Sequence, residues 1–157
     1  MSEKYIHIYN NLINFTRNKA LYAGLNREDN FSDRLTFFLL HFSFFLKNFK
    51  NDENKKILQE IYDYNFRQLE LSIREIGYGD QSINKKMKDY INNFYSILDK
   101  INDWNKLDNV KKGEILGFYY QLNDNRVKIV NYFDSFEIYL SKTSLKSFTK
   151  SVINHKF

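Results

Sequence analysis

Apolar residues recur along most of the chain at three- and four-residue intervals, the repeat that gathers side chains on one face of an α-helix. Tyr5, Ile8, Tyr9, Leu12 and Phe15 form the first such stripe, which runs out near Lys19. The polar, turn-rich stretch from Gly24 to Asn30 separates it from a second helix, with Ser32 as the expected cap and Asp33 as the acid that suits the positive helix end. That second helix lacks a polar face: Leu35 to Leu46 reads LTFFLLHFSFFL, broken only by Thr36, His41 and Ser43, and it ends against Lys47 and Lys50. A bilayer span needs about 20 apolar residues, and this run has 12. A segment apolar all round but too short to cross predicts the central helix of a globular bundle, with an in-plane membrane helix as the alternative.

Asp52 is placed to cap a third helix, in which Ile57, Ile61, Tyr62, Phe66, Leu69, Ile73 and Ile76 keep helical spacing until Gly77 supplies a stop. Ser82 is the expected cap of a fourth, with Met87, Tyr90, Ile91, Phe94, Leu98 and Ile101 on its buried side. After a break from Trp104 to Leu107, a fifth helix from about Asp108 carries Leu116, Tyr119 and Tyr120. A sixth from about Asn125 carries Val127, Val130, Phe133 and Leu140, and a short seventh follows from Thr143. The pattern predicts an all-α, single-domain bundle of six or seven helices over residues 1–157, without internal repeat or linker.

Composition sharpens this picture. Proline is absent and there are only 5 glycines, which suits helices better than a sheet with many tight turns. Aromatics make up 18% of the chain, as 15 Phe, 12 Tyr and 1 Trp, and imply either a thick core or a sticky binding surface. The lack of cysteine excludes disulfides, thiolate metal sites and cysteine nucleophiles. With 27% charged residues and a mean hydropathy of -0.59 the chain is not a membrane-embedded protein. A net charge of +5 and a pI near 9.2 allow an anionic partner, although an A/T-rich genome accounts for the basic composition equally well. Met1 to Lys4 lacks the features of a signal peptide, so the protein is expected in the cytoplasm, or peripherally at the inner membrane.

Candidate chemistry is sparse. His7, His41 and His155 are scattered, without metal-binding spacing, so neither a metal nor a cofactor nor a catalytic residue is expected. His41 reads as a hydrogen-bonded core residue. Gly77 and Gly79 lack the strand and the third glycine of a phosphate loop and read as a helix stop. Around them, Ile73 to Asp80 concentrates charge, apolar anchors and glycine at one helix-to-helix elbow. There Gly77 is expected in a left-handed conformation and Arg74 tied to Glu70 or Asp80. An elbow with buried charge acts as a structural lock or as a partner site. Lys85, Lys86 and Lys88 fall at the expected start of helix four, where the positive helix end repels cations. Lys142, Lys146 and Lys150 form a stripe beside Leu145, Phe148 and Val152. This fits an anionic membrane surface and an ordinary packed helix alike. Interspersed acids argue against nucleic acid, with an RNA-binding role for Lys85, Lys86 and Lys88 as a weaker option.

The segment Phe66-Arg67-Gln68-Leu69-Glu70-Leu71-Ser72-Ile73-Arg74-Glu75-Ile76-Gly77-Tyr78-Gly79-Asp80, followed by Lys85-Lys86-Met87-Lys88 and Phe94-Tyr95, resembles the ubiquinol-cytochrome c chaperone family. The family's hallmark is an acid, then Leu-Arg-Glu-x-Gly-x-x-Asp, then a basic helix start. Upstream, Tyr9-Asn10, Arg17, Tyr22, Arg34 and Leu40-His41 look like its earlier positions, so the likeness covers roughly residues 8 to 102. The chain departs from the family at Ser96-Ile97, where Gly-Arg is usual, at Asn84, where proline is, and at Ile73, where leucine is. The resemblance implies a helical assembly chaperone without catalytic activity. It would bind newly made cytochrome b of the cytochrome bc1 complex together with a small partner protein. Arg34, His41, Glu70, Arg74, Glu75, Gly77, Gly79, Asp80, Lys85 and Lys86 are then the candidate partner-binding or elbow residues, and Lys142, Lys146 and Lys150 the candidate membrane-surface residues. The alternative is a small helical ligand-binding protein or enzyme with a pocket near Arg34 and His41.

Overall fold

The computed structural model describes residues 2–22, 25, 30–120, 126–150 and 153. Its helices are α1 (Ile6–Thr16), α2 (Phe31–Phe49), α3 (Lys55–Ile76), α4 (Asp80–Ile101), α5 (Asn109–Tyr120), α6 (Arg126–Ser141) and α7 (Leu145–Lys150), with 3-10 turns at Ser2–Tyr5, Lys19–Leu21 and Trp104–Lys106. Among the described residues there is no strand, and the all-α expectation holds.

The apolar helix is the centre. α2 packs against α1, α4, α5 and α6, and Leu35 together with every residue from Phe37 to Phe45 is buried. Phe44 stacks on Phe133 of α6 at 5.2 Å and meets Trp104 edge-on at 5.1 Å, while Phe42 stacks on Phe94 of α4 at 5.1 Å. The surplus aromatics are therefore largely core.

Burial on every side obliges the polar atoms of α2 to find partners inside the protein. Thr36 Oγ1 donates to the Ser32 carbonyl at 3.0 Å and Ser43 Oγ to that of Leu39 at 2.7 Å, each one turn back along the helix. The Phe37 carbonyl, 2.6 Å from His41 Nδ1, can only accept, so Nδ1 carries the proton. Nε2 then accepts from the Tyr132 hydroxyl of α6 at 2.6 Å. Burial of the fully enclosed ring lowers its pKa to about 4, against the smaller opposing effect of the Phe37 bond.

Several expected boundaries move. Asn30, not Ser32, caps α2, accepting from the Asp33 N–H at 2.8 Å. Asp52 lies in the turn before α3, where Asn51 Oδ1 accepts from the Asn54 N–H at 2.7 Å. α4 begins at Asp80 behind Gly79, so Ser82 sits inside the helix, and Lys85, Lys86 and Lys88 lie beyond the first turn that repels cations. α5 starts where expected, and Asp108 caps it, its Oδ1 accepting from the Lys111 N–H at 2.8 Å. For α7 the capping oxygen is Ser144 Oγ, 3.2 Å from the Ser147 N–H.

Two expected core residues face outward: Ile76 is 54% exposed at the end of α3, and Val127 is 72% exposed on α6. On α4 the fully buried line is Ile83, Phe94, Ile97 and Ile101, with Met87, Tyr90, Ile91 and Leu98 only partly covered beside it. Trp104 is no simple break. It is buried, its Nε1–H donates to Asp134 Oδ1 at 2.9 Å, and Lys112 Nζ bonds the same oxygen at 2.9 Å. Most of the turn expected over Gly24 to Asn30, the helix start at Asn125, the side chain of Tyr120, and Val152 and His155 lie outside the described residues.

The His41 environment makes stability depend on pH. An imidazole in the unfolded chain titrates near 6.5, whereas the folded one does so at about 4. As pH falls below 6.5 the unfolded state takes up a proton that the folded state refuses, so stability declines. Urea unfolding should lose about 2 kcal/mol between pH 6.5 and pH 5. The His41→Leu variant, less stable at neutral pH because it loses the bonds to the Phe37 carbonyl and to Tyr132, should show a flatter slope over that range.

Candidate functional site

The elbow between α3 and α4 forms as its residues dictate. Gly77 has φ 103 and its N–H bonds the Arg74 carbonyl at 3.0 Å, a left-handed helix stop. Gly79 has φ -74, which any residue adopts. Arg74 spans the turn, with Nη1 2.6 Å from Asp80 Oδ1 and Nη2 3.4 Å from Glu70 Oε1, and these carboxylates raise its pKa. Arg67 meets the other Glu70 oxygen at 3.4 Å. The charge is not buried, contrary to expectation: every residue from Arg74 to Asp80 is exposed, Glu75 included. Lys86 Nζ lies 4.5 Å from the centre of the Tyr78 ring, which explains a lysine here without any ligand, and Lys85 is exposed.

Arg34 and His41 do not share a site. Arg34 is exposed on the first turns of α2 and lines a cleft against α1 and α3, whereas both ring nitrogens of His41 are engaged inside the core. Among the described residues, no group of three metal-ligating side chains gathers.

A larger opening lies at the other end of α2, among α2, α3 and α4. Where α2 ends, a groove of about 680 Å³ runs between α3 and α4, lined by Leu46, Leu58, Tyr62, Phe94, Tyr95 and Leu98. Its edge carries Lys47, Lys50 and Lys55 with Asp52, and Lys47 is paired with Glu137 at 2.9 Å. The Tyr62 ring packs 4.7 Å from Phe66 and 6.2 Å from Tyr95, and Tyr95 is 55% exposed. Burial, followed by the hydrogen bond with Tyr95, pushes the Tyr62 hydroxyl well above its ordinary pKa. Between these charges the groove offers aromatic and aliphatic surface, suited to holding an apolar chain. The Phe94-Tyr95 pair was its one sequence signal.

At the other end of the chain, α7 packs on α1 and buries Phe148. Asn11, itself buried, donates to the Phe148 carbonyl at 3.2 Å and accepts from the Ile153 N–H at 2.8 Å. Lys142 sits in the turn after α6, so the three tail lysines do not form one helix face, although all are exposed.

The sequence model described as ubiquinol-cytochrome C chaperone matches residues 24–103, just over half of the chain. The chain belongs to the ubiquinol-cytochrome c chaperone family. The matched residues include the whole of α2, α3 and α4, and with them the elbow and the groove. Among solved structures, the Cbp3 homolog from Brucella abortus is similar with a TM-score of 0.76 and 22% identity, over 96% of this chain and 88% of that one. At that identity the likeness shows the fold, and it extends to α5, α6 and α7, beyond the family match. No curated protein matches.

The two glycines of this family member should separate by backbone alone. Gly77→Ala, forced into the left-handed region, should cost about 1 to 2 kcal/mol in chemical unfolding. Gly79→Ala, with nothing within 4 Å of the added methyl, should stay within about 0.5 kcal/mol of wild type.

Proposed function

We propose that this protein is an assembly chaperone without catalytic activity that holds newly made cytochrome b for the cytochrome bc1 complex. The groove between α3 and α4 is the grip. Family membership supports the class of function, and the open apolar groove within the matched residues is the observation that supports the mode. A membrane helix outside the bilayer exposes apolar side chains, and covering them is worth about 25 cal/mol per Å². A groove with several aromatic and aliphatic side chains among its lining accepts such side chains with little dependence on their order. The exposed Arg74 clamp sets the angle at which α4 leaves α3, and so the width of the groove.

A place beside the bilayer belongs to the same reading. No helix among the described residues is long and apolar enough to cross a membrane. Exposed Lys142, Lys146 and Lys150 would each add about 1 kcal/mol of attraction to anionic headgroups. A small co-chaperone also belongs to it, without assigned residues. An enzyme pocket around Arg34 and His41 loses support because His41 faces the core.

Deleting the gene should lower both cytochrome b and assembled bc1 complex in the membrane, and the wild-type gene should restore them. Tyr95→Asp, which puts charge in the groove, should restore them poorly. Val127→Asp, on an exposed position of α6 away from the groove, should restore them fully. Normal levels in the deletion strain would overturn the reading.

A further inference from the structure

The cleft at the opposite end of α2 is a separate site. Leu35 lines the cleft and Leu46 the groove, about 16 Å apart along a helix that rises 1.5 Å per residue. The two share α2 and α3 but no residue.

The cleft measures about 420 Å³, within the usual range of small-molecule sites, and is walled by α1, α2, α3 and the turn at Lys19–Leu21. Tyr9, Ile13, Phe38 and Leu69 supply apolar surface, with the Tyr9 and Phe38 rings edge to face at 5.8 Å. Arg17, Lys19 and Arg34 also line it, all exposed and so at its mouth, and among the described residues no carboxylate lines it. The frame is fixed. The Arg17 N–H closes α1 on the Ile13 carbonyl at 3.1 Å, and the Asn18 side chain caps the Lys19 turn at 3.0 Å.

Three of its neutral hydroxyl donors are already used. Thr16 Oγ1 donates to the Leu12 carbonyl at 2.8 Å, Ser72 Oγ to that of Gln68 at 3.0 Å and the Tyr22 hydroxyl to that of Thr16 at 2.7 Å. A sugar or nucleotide would meet few hydrogen-bonding partners here. Cations at the mouth of an apolar cleft instead complement a molecule with one anionic group on an apolar body.

We propose that this cleft binds a long-chain fatty acid, its carboxylate against Arg17 and Lys19 and its acyl chain along Tyr9, Phe38 and Leu69. The inference does not depend on the client reading, because it uses other residues.

The test is displacement of cis-parinaric acid from the full-length protein, with oleate and oleyl alcohol as competitors. Oleate should compete at least about tenfold better than the alcohol. In a double variant carrying Arg17→Glu and Lys19→Glu, oleate should weaken by about tenfold or more while the alcohol is unchanged. Both positions are exposed, and circular dichroism checks that the variant folds. Tyr95→Asp in the groove should leave oleate binding intact. Equal competition by acid and alcohol, unaltered oleate binding by the charge-reversed variant, loss of binding in Tyr95→Asp, or no binding except to anionic phospholipid vesicles would each overturn the proposal.

Discussion

Burying α2 on every side leaves its polar atoms without water, and the fold is arranged around how they are satisfied. A buried donor or acceptor left alone costs about 1 to 3 kcal/mol. Ser43 meets the demand within the helix itself. His41 cannot, because a neutral imidazole has two nitrogens and its own helix supplies one acceptor. The Tyr132 hydroxyl completes it from α6, 91 residues away in sequence. That bond joins the matched family region to the C-terminal helices. The stacked Phe44 and Phe133 rings make the same connection beside it.

Because α2 takes up the facing sides of its neighbours, the other helices keep only one apolar face each. α3 buries Leu58, Ile61, Asn65, Phe66, Leu69 and Ile73 and leaves the rest to solvent. It borders an opening at each end of α2, each lined by apolar side chains together with cations. The middle of α2 is buried in the core, and its two ends border the openings. The elbow carries its ion pairs at the surface, and its exposure explains how charge can concentrate there without a desolvation cost.

The helices were legible because their apolar spacing reflects burial, and α2 most clearly because a helix apolar all round has few places to go. Gly77 was legible for a local reason, since a left-handed stop needs glycine. Cap positions were less so: Asn30, Ser32 and Asp33 are all capping residue types, and tertiary packing chooses among them. Ile76 and Val127 kept the spacing but fell where no neighbour covers them, which spacing alone does not encode. The link of Trp104, Lys112 and Asp134 joins residues distant in sequence, and the groove is a gap between α3 and α4 left by their angle. Only the Phe94-Tyr95 pair hinted at it, through the family resemblance and not through any pattern of chemistry.

The central claim is that apolar client segments lie in the groove between α3 and α4. It is tested most directly by placing a photo-crosslinking amino acid at Tyr95 or Leu98, and at Phe118 as an exposed position elsewhere, in cells making cytochrome b. The account predicts adducts to newly made cytochrome b from Tyr95 and Leu98, and far weaker ones from Phe118. Adducts from Phe118 with none from the groove would contradict it.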